Sequence, residues 1–282
     1  MTTSAVPDLI LEPLVRNALQ EDLGSYGDVT TRSVIPAGAT YKARLNSRSD
    51  AVVSGMQVAA LAFRLVDPTL EITSHFKDGA PCQTGDTLME ISGSAASILS
   101  AERVALNFAG RLTGIATLTA EFVAQTKGTS ARITCTRKTT PGLRIVEKLA
   151  VLHGGGFNHR YSLSDAVLIK DNHIAAAGGV VAALEAAKAN ASHMMAVEIE
   201  VDTLTQLDQV LQTGGASVVL LDNMDNDTLR EAVKMVDGSL KTEASGNVKL
   251  DRVASISATG VDYISSGALT HSAQTVDLGL DF

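Results

Sequence analysis

The chain has 282 residues and a formal net charge of −8, with 45% hydrophobic and 19% charged residues. That balance describes a globular protein with apolar side chains enough for one large domain or two ordinary ones. The acidity argues against a nucleic-acid partner, and no apolar run approaches the roughly 20 residues that span a bilayer, so no membrane partner is expected either.

The N-terminal MTTSAVPDLILEPL has no basic segment and no long apolar run, unlike a secretory signal. Asp8 to Asp22 reads as an amphipathic helix, because Leu9, Leu11, Leu14, Val15, Ala18 and Leu19 recur near helical spacing. A polar turn, GSYGDVTT, is expected next. Then come β-like runs YKARLNS and AVVSG, a helical run MQVAALAFRLVD, and two more β-like runs, LEITSHF and TLMEIS. From about Ala95 to Lys127 a long helix is expected, apolar on all sides and therefore buried. Arg103 and Arg111 within it should need anionic partners.

From Arg132 the texture changes. Six β runs (RITCT, AVLIKD, MAVEIE, SVVLLD, LKTEAS and DYISS) are interleaved with helical runs. That alternation predicts a parallel sheet. Six units are too few for the complete eightfold barrel, so an open, incomplete barrel is expected. A doubly wound sheet is the alternative, but no G-x-G-x-x-G follows a first strand. The tail VDLGLDF alternates and predicts a short strand returning to the first domain. Cys82 and Cys135 lie far apart at no metal spacing, which suits a reducing cytoplasm. Cys135 reads as a small buried hydrophobe.

Residues 132–173 hold seven Lys/Arg against three acids, or +4, so the rest of the chain carries −12. A basic island in an acidic chain points to a local anion site. Each β run also closes on polar residues, and in parallel barrels the C-terminal strand ends carry chemistry. Arg137, Lys138, Arg160 and Lys170 supply positive charge, with His159 beside them. Glu200 and Asp222 supply negative charge. Glu198 and Glu200 alternate on one strand and share a face, so at least one should look into the site. Ser245, Gly246, Asn247 and Ser266, Gly267, Ala268 are expected to offer hydroxyls and backbone N–H groups at helix starts, which favour phosphate. Two carboxylates facing phosphates suit Mg²⁺. Taken singly, a basic strand end is read equally well as a surface ion pair, and Asp222 equally well as a helix cap. The sixfold repetition of polar strand ends is what points to a site.

Several strings carry a resemblance: EDLGSYGDVTT, ERVALNF, TRKTTPGLR, EKLAVLHGGGFNHR, LIKDNH, VEIEV, LLDN, EASGN and SSGALTH. In order and over nearly the whole length, the chain resembles the quinolinate phosphoribosyltransferases, the decarboxylating enzymes of NAD biosynthesis. Two positions depart from the family's pattern: Ser162 stands where glycine is expected, and Asn247 replaces a glycine found in some members. The resemblance implies an N-terminal α/β sandwich over 1–113, joined by the tail 273–282, and an open, six-stranded α/β barrel over 114–272. It implies transfer of a phosphoribosyl group from phosphoribosyl pyrophosphate to quinolinate, with Mg²⁺, in a cytoplasmic homodimer with shared sites or a larger homo-oligomer. By position, Arg103 would come from the partner subunit. Arg137, His159, Arg160 and Lys170 would line the quinolinate pocket. Lys138, Glu200, Asp222, Ser245, Gly246, Asn247, Ser266, Gly267 and Ala268 would face the phosphoribosyl group and its metal, Thr136 would also bind substrate, and Lys138, Lys170, Glu200 and Asp222 would carry catalysis. Three rivals remain open: a Schiff-base aldolase using Lys170, a paralogous phosphoribosyltransferase of altered substrate, and a non-catalytic anion sensor.

Overall fold

The computed structural model describes residues 6–282. In chain order, the first half contains α1 (Asp8–Leu23), α2 (Val29–Val34), β1 (Thr40–Ser47), β2 (Ala51–Val52), α3 (Met56–Val66), β3 (Glu71–Ser74), β4 (Pro81–Cys82), β5 (Thr87–Ser94) and α4 (Ala95–Ala124). The second half contains β6 (Arg132–Thr134), α5 (Arg144–His153), β7 (Val167–Ile169), α6 (Asp171–Ala177), α7 (Val180–Asn190), β8 (Val197–Val201), α8 (Leu204–Thr213), β9 (Val218–Asp222), α9 (Asn226–Val236), β10 (Lys241–Ser245), α10 (Leu250–Ser257), β11 (Tyr263–Ser265), α11 (Ala268–His271) and β12 (Leu278–Asp281). These form two compact units. One comprises the chain to Ala120, Thr140–Gly155 and Ser272–Phe282; the other comprises Glu121–Thr139 and Gly156–His271.

The first unit is built on an antiparallel sheet in the order β12-β1-β5-β3. Ala43, Leu45, Leu88, Met89 and Ile91 are buried on it. The tail strand β12 pairs with β1, Leu45 opposite Leu280. Helix α1 buries Leu11, Val15 and Leu19, spaced one turn apart. The expected polar turn after it holds a short helix instead. Asp28 accepts the Thr31 N–H at 2.9 Å, an N-cap that starts α2.

Helix α4 is almost wholly covered, as its all-round apolar pattern predicts. Arg111 on it finds the expected acid. Glu147 is fully buried and accepts from Arg111 Nη2 at 3.0 Å, from the Thr140 N–H at 3.0 Å and from Thr140 Oγ1 at 2.8 Å. Arg111 Nη1 also donates to the Ala273 carbonyl at 2.9 Å. Arg103 departs from expectation. It is exposed on α4, so it needs no buried partner, and it lines a cavity of about 420 Å³ with Leu106, Asn107 and residues 275–278. His153 closes α5 in a structural role, with its Nδ1 2.8 Å from the buried Ser54 hydroxyl.

The second unit holds a parallel sheet in the order β6-β11-β10-β9-β8-β7. Its strands read as short apolar runs because a parallel sheet is covered on both faces. The barrel is not closed, since β6 and β7 do not pair. Phe157 lies at the free edge of β6 instead. Its N–H donates to Ile133 O at 2.8 Å and its carbonyl accepts from Cys135 N at 3.1 Å. The Arg132 guanidinium stacks 4.7 Å above the Phe157 ring. Cys82 and Cys135 are both buried. No helix among the described residues is long and apolar enough to cross a membrane.

Candidate active site

Strand register decides which side chains meet at the C-terminal ends of this sheet. Glu200 on β8 sits beside Leu220 on β9, Leu220 beside Glu243 on β10, and Asp222 beside Ser245. Glu198 and Glu200, two residues apart, share one face of β8.

Lys170 follows β7 directly and its Nζ meets Glu200 Oε2 at 2.5 Å. The Lys170 backbone is fixed by His173, whose Nδ1 accepts the Lys170 N–H at 2.9 Å as α6 begins. Asp222 ends β9 with its side chain half-buried. The capping role open to it is taken by Asp225, which accepts the Thr228 N–H at 2.8 Å at the start of α9. Burial raises the Asp222 carboxyl above its ordinary value, and the neighbouring Asp202 raises it further, while Lys170 and Lys138 pull it down. Glu200, Asp222 and Asp202 offer only oxygens, the donor set that Mg²⁺ takes.

Lys138 leaves β6 through a turn in which Thr136 Oγ1 accepts its N–H at 3.0 Å. Its carbonyl accepts from Thr270 Oγ1 at 2.7 Å. The side chain runs close to Gly267, where an added Cβ would lie 2.8 Å from Lys138 Cδ and 3.1 Å from His271 Nε2. The two small-residue loops differ from expectation. Helix α10 starts at Leu250, so the N–H groups of Gly246 and Asn247 belong to a tight loop before it. Gly246 has φ +93° and Asn247 φ +48°, and asparagine is among the few side chains that tolerate this left-handed region, which explains how it stands in place of glycine. Asn247 Nδ2 donates to Asn223 Oδ1 at 3.2 Å. Ser266 spends its hydroxyl internally. It donates to Val248 O at 2.9 Å and accepts from the Ala268 N–H at 3.3 Å, at the start of the four-residue α11.

The stretch after Phe157 brings His159 and Arg160 to the same end. Arg160 Nη1 donates to Ala166 O at 2.9 Å, while its buried Nε has no hydrogen-bond partner. Burial and then the nearby Arg137 lower the Arg160 pKa, against the pull of Glu198 and Asp165. The loop 161–165 is tied by Asp165, which accepts the Tyr161 and Ser162 N–H groups at 2.5 and 2.7 Å. The Ser162 hydroxyl, first among its partners, helps hold the Asp165 pKa down to about 2. Ser162 thus supplies a loop contact that glycine lacks.

Beside this ring His159 and Glu198, both expected near the site, meet Glu243, which was not among the expected site residues. His159 Nε2 is 2.8 Å from Glu198 Oε2 and 3.9 Å from Glu243 Oε1. Glu198 and Glu243 are only 7% and 4% exposed, and the Oε1 of each has no hydrogen-bond partner. Burial, then Glu198, raises the Glu243 pKa to about 7. The signal for Glu243 was present in sequence. It stands two residues before Ser245, on the same strand face, as Glu198 stands before Glu200. Asp202 lies just past its strand, where the same pattern gives no cue.

The electrostatic links therefore run Arg137–Arg160–Glu198, Lys170–Glu200 and Lys170–Asp222–Lys138 at one end of one sheet. Arg103 lies in the first unit and takes no part in these contacts.

Two family models match the chain. The quinolinate phosphoribosyl transferase C-terminal domain covers residues 115–281 and the N-terminal domain residues 28–113. A probable nicotinate-nucleotide pyrophosphorylase (carboxylating) of Bacillus subtilis is 41% identical, over 97% of this chain and 93% of its own length. A quinolinate phosphoribosyltransferase (decarboxylating) of Nicotiana tabacum is 42% identical, over 98% of this chain and 83% of its own. Among solved structures, NadC from Streptococcus pyogenes superposes with a TM-score of 0.95 at 37% identity, covering 99% of this chain and 98% of that one. The chain belongs to the quinolinate phosphoribosyl transferase family.

Proposed function

We infer that the chain joins quinolinate to phosphoribosyl pyrophosphate, releasing nicotinate mononucleotide, pyrophosphate and CO₂, a step of NAD biosynthesis. The family carries the reaction class. The observation that supports the site is the Lys170–Glu200 pair at 2.5 Å, with Arg137 acting electrostatically on Arg160 and with Lys170 and Lys138 acting on Asp222. A substrate with adjacent carboxylates calls for guanidinium partners, since arginine pairs with carboxylates through two parallel hydrogen bonds. A sugar diphosphate calls for lysines and for backbone N–H groups in tight loops.

On this reading Arg137 and Arg160 hold the two carboxylates and set the ring nitrogen against C1 of the sugar. Positioning alone supplies up to roughly 7–11 kcal/mol of such a barrier. As pyrophosphate leaves, C1 gains positive character, which Glu200 and Asp222 stabilise. Lys138, Ser245, Gly246, Asn247, Gly267 and Ala268 face the phosphates, with Thr136 and Ser266 shaping their loops. Glu200 and Asp222 would hold Mg²⁺, which supplies charge neutralisation on the diphosphate. Alkylation makes the ring nitrogen cationic. The C–CO₂ bond then breaks, its electron pair stays on the ring carbon, and Lys170 returns a proton there. We read Arg103, exposed on α4, as reaching the quinolinate of a second subunit in a homodimer, and the setting as cytoplasmic.

The test is direct: the protein mixed with quinolinate, phosphoribosyl pyrophosphate and Mg²⁺ should form nicotinate mononucleotide. Nicotinate in place of quinolinate should give none. Turnover of nicotinate alone, or a lysine adduct trapped by borohydride with a carbonyl compound, would replace this reading.

A further inference from the structure

We propose that Glu198 and Glu243 are positioning residues that act through His159 to hold Arg160 beside Arg137 for one carboxylate of the acceptor substrate. The inference deepens the reaction assigned above and rests on it.

The imidazole of His159 is held at both ring nitrogens. His159 Nδ1 accepts the Arg160 N–H at 2.8 Å, which leaves Nε2 to carry the proton toward Glu198 Oε2, 2.8 Å away. Both ring nitrogens are thus engaged by the protein, and the ring joins Glu198 to the Arg160 backbone. His159 is then a strut rather than a ligand of substrate.

The strut answers an electrostatic need. Arg160 and Arg137 repel each other, and Glu198 is the first acid that offsets this for Arg160. No strand supports Arg160. Its segment is tied to the sheet through Phe157, on the free edge of β6. Without Glu198 and His159, repulsion would push Arg160 away from a site awaiting a dianion. Glu243 stands behind His159, 3.9 Å from Nε2 and buried beside Glu198. It limits where the imidazole can sit.

These three residues place their ligand atoms within 4.8 Å of one another, a spacing that a metal ion could use. The imidazole hydrogen bonds and the nearby Arg137, Arg160 and Lys170 favour the positioning role over a further cation.

Glu198→Gln and Glu243→Gln keep shape and remove charge. In steady-state assays of the full chain with Mg²⁺, Glu198→Gln should raise the KM for quinolinate about tenfold, and Glu243→Gln several-fold, with the KM for phosphoribosyl pyrophosphate within about twofold of the parent. His159→Gln, whose amide reaches toward Glu198, should retain more quinolinate affinity than His159→Ala. Equal rises in both KM values, or unchanged KM values with a folded protein, would overturn the proposal. If Glu198→Gln melts below assay temperature, Glu243→Gln and the His159 pair decide the question. A parent protein inactive on quinolinate sinks the reaction itself. An active parent without the KM split sinks only the strut.

Discussion

The two units treat buried charge in opposite ways. In the first, Glu147 is fully buried and accepts from Arg111 and from both donors of Thr140. His153 in the same unit is matched with the Ser54 hydroxyl. In the second, Arg160 Nε, Glu198 Oε1 and Glu243 Oε1 are buried without hydrogen-bond partners, and among the described residues no such atom occurs in the first unit. Saturated charge holds a fold together. Buried polar atoms left open are desolvated without return; three of them belong to Arg160 and the two glutamates beside His159, and another is Asn226 Oδ1 on α9.

The comparison can be broken by substitution. The largest expected effect is at the open end of the barrel. Lys170→Ala should lower kcat by about 10²–10⁴-fold, the range for losing a proton donor in the transition state, with an unchanged melting temperature. Lys138→Ala should likewise lose most turnover while staying folded. Near-normal turnover in either would remove the strand-end ring as the active site. Next comes the saturated pair. Glu147→Ala strands Arg111 and should cost about 3–5 kcal/mol in chemical denaturation, while the folded fraction keeps its kcat.

Smaller and more telling is a pH experiment. The Glu243 pKa is raised from 4.5 to about 7, so the folded state holds a proton that the unfolded chain has released. The stability tied to that proton is fully present below about pH 4.5 and is lost as pH rises through about 7. Glu243→Gln cannot ionise. Its melting temperature should exceed the parent's at pH 8, with the gap closing at pH 5. A gap that widens toward acid would mean that Glu243 is held as a carboxylate by its neighbours. The smallest effect is expected at Arg230, whose pair with Asp227 is exposed on α9. Arg230→Ala should change stability by less than about 0.5 kcal/mol.

Much of this was legible in the chain. The strand–helix alternation after Arg132 gives all six parallel strands, because apolar runs of that length, punctuated by polar ends, fit little else. The tail strand was legible from alternation alone. Helix α2 was not, since its stability comes from the Asp28 cap and not from an apolar stripe. Nor was α6, whose first turn is held by the His173 ring. In the site, Arg137, Lys138, Lys170 and the outer acids follow or end strands and could be read there, and Arg160 could be read from the glycine-rich loop before it. Glu243 could be read from its place two residues before Ser245, whereas Asp202 acts only through a neighbour on another strand, and register across a sheet is invisible to a linear pattern. The burial expected of Arg103 fails for a related reason. A helix covered on nearly every side can still leave single positions open, and Arg103 occupies one of them.

Phe157 lines the free edge of β6 with two main-chain hydrogen bonds, and the residues after it deliver His159 and Arg160. The seam of the barrel is therefore the part that can be rebuilt most freely, because lengthening or rewriting it re-registers no strand. On the function proposed above, this patch brings one of the arginines that hold the aromatic acid, whereas the groups proposed to grip the pyrophosphate donor follow strands locked by their pairing. A descendant of this scaffold could change the first and inherit the second intact.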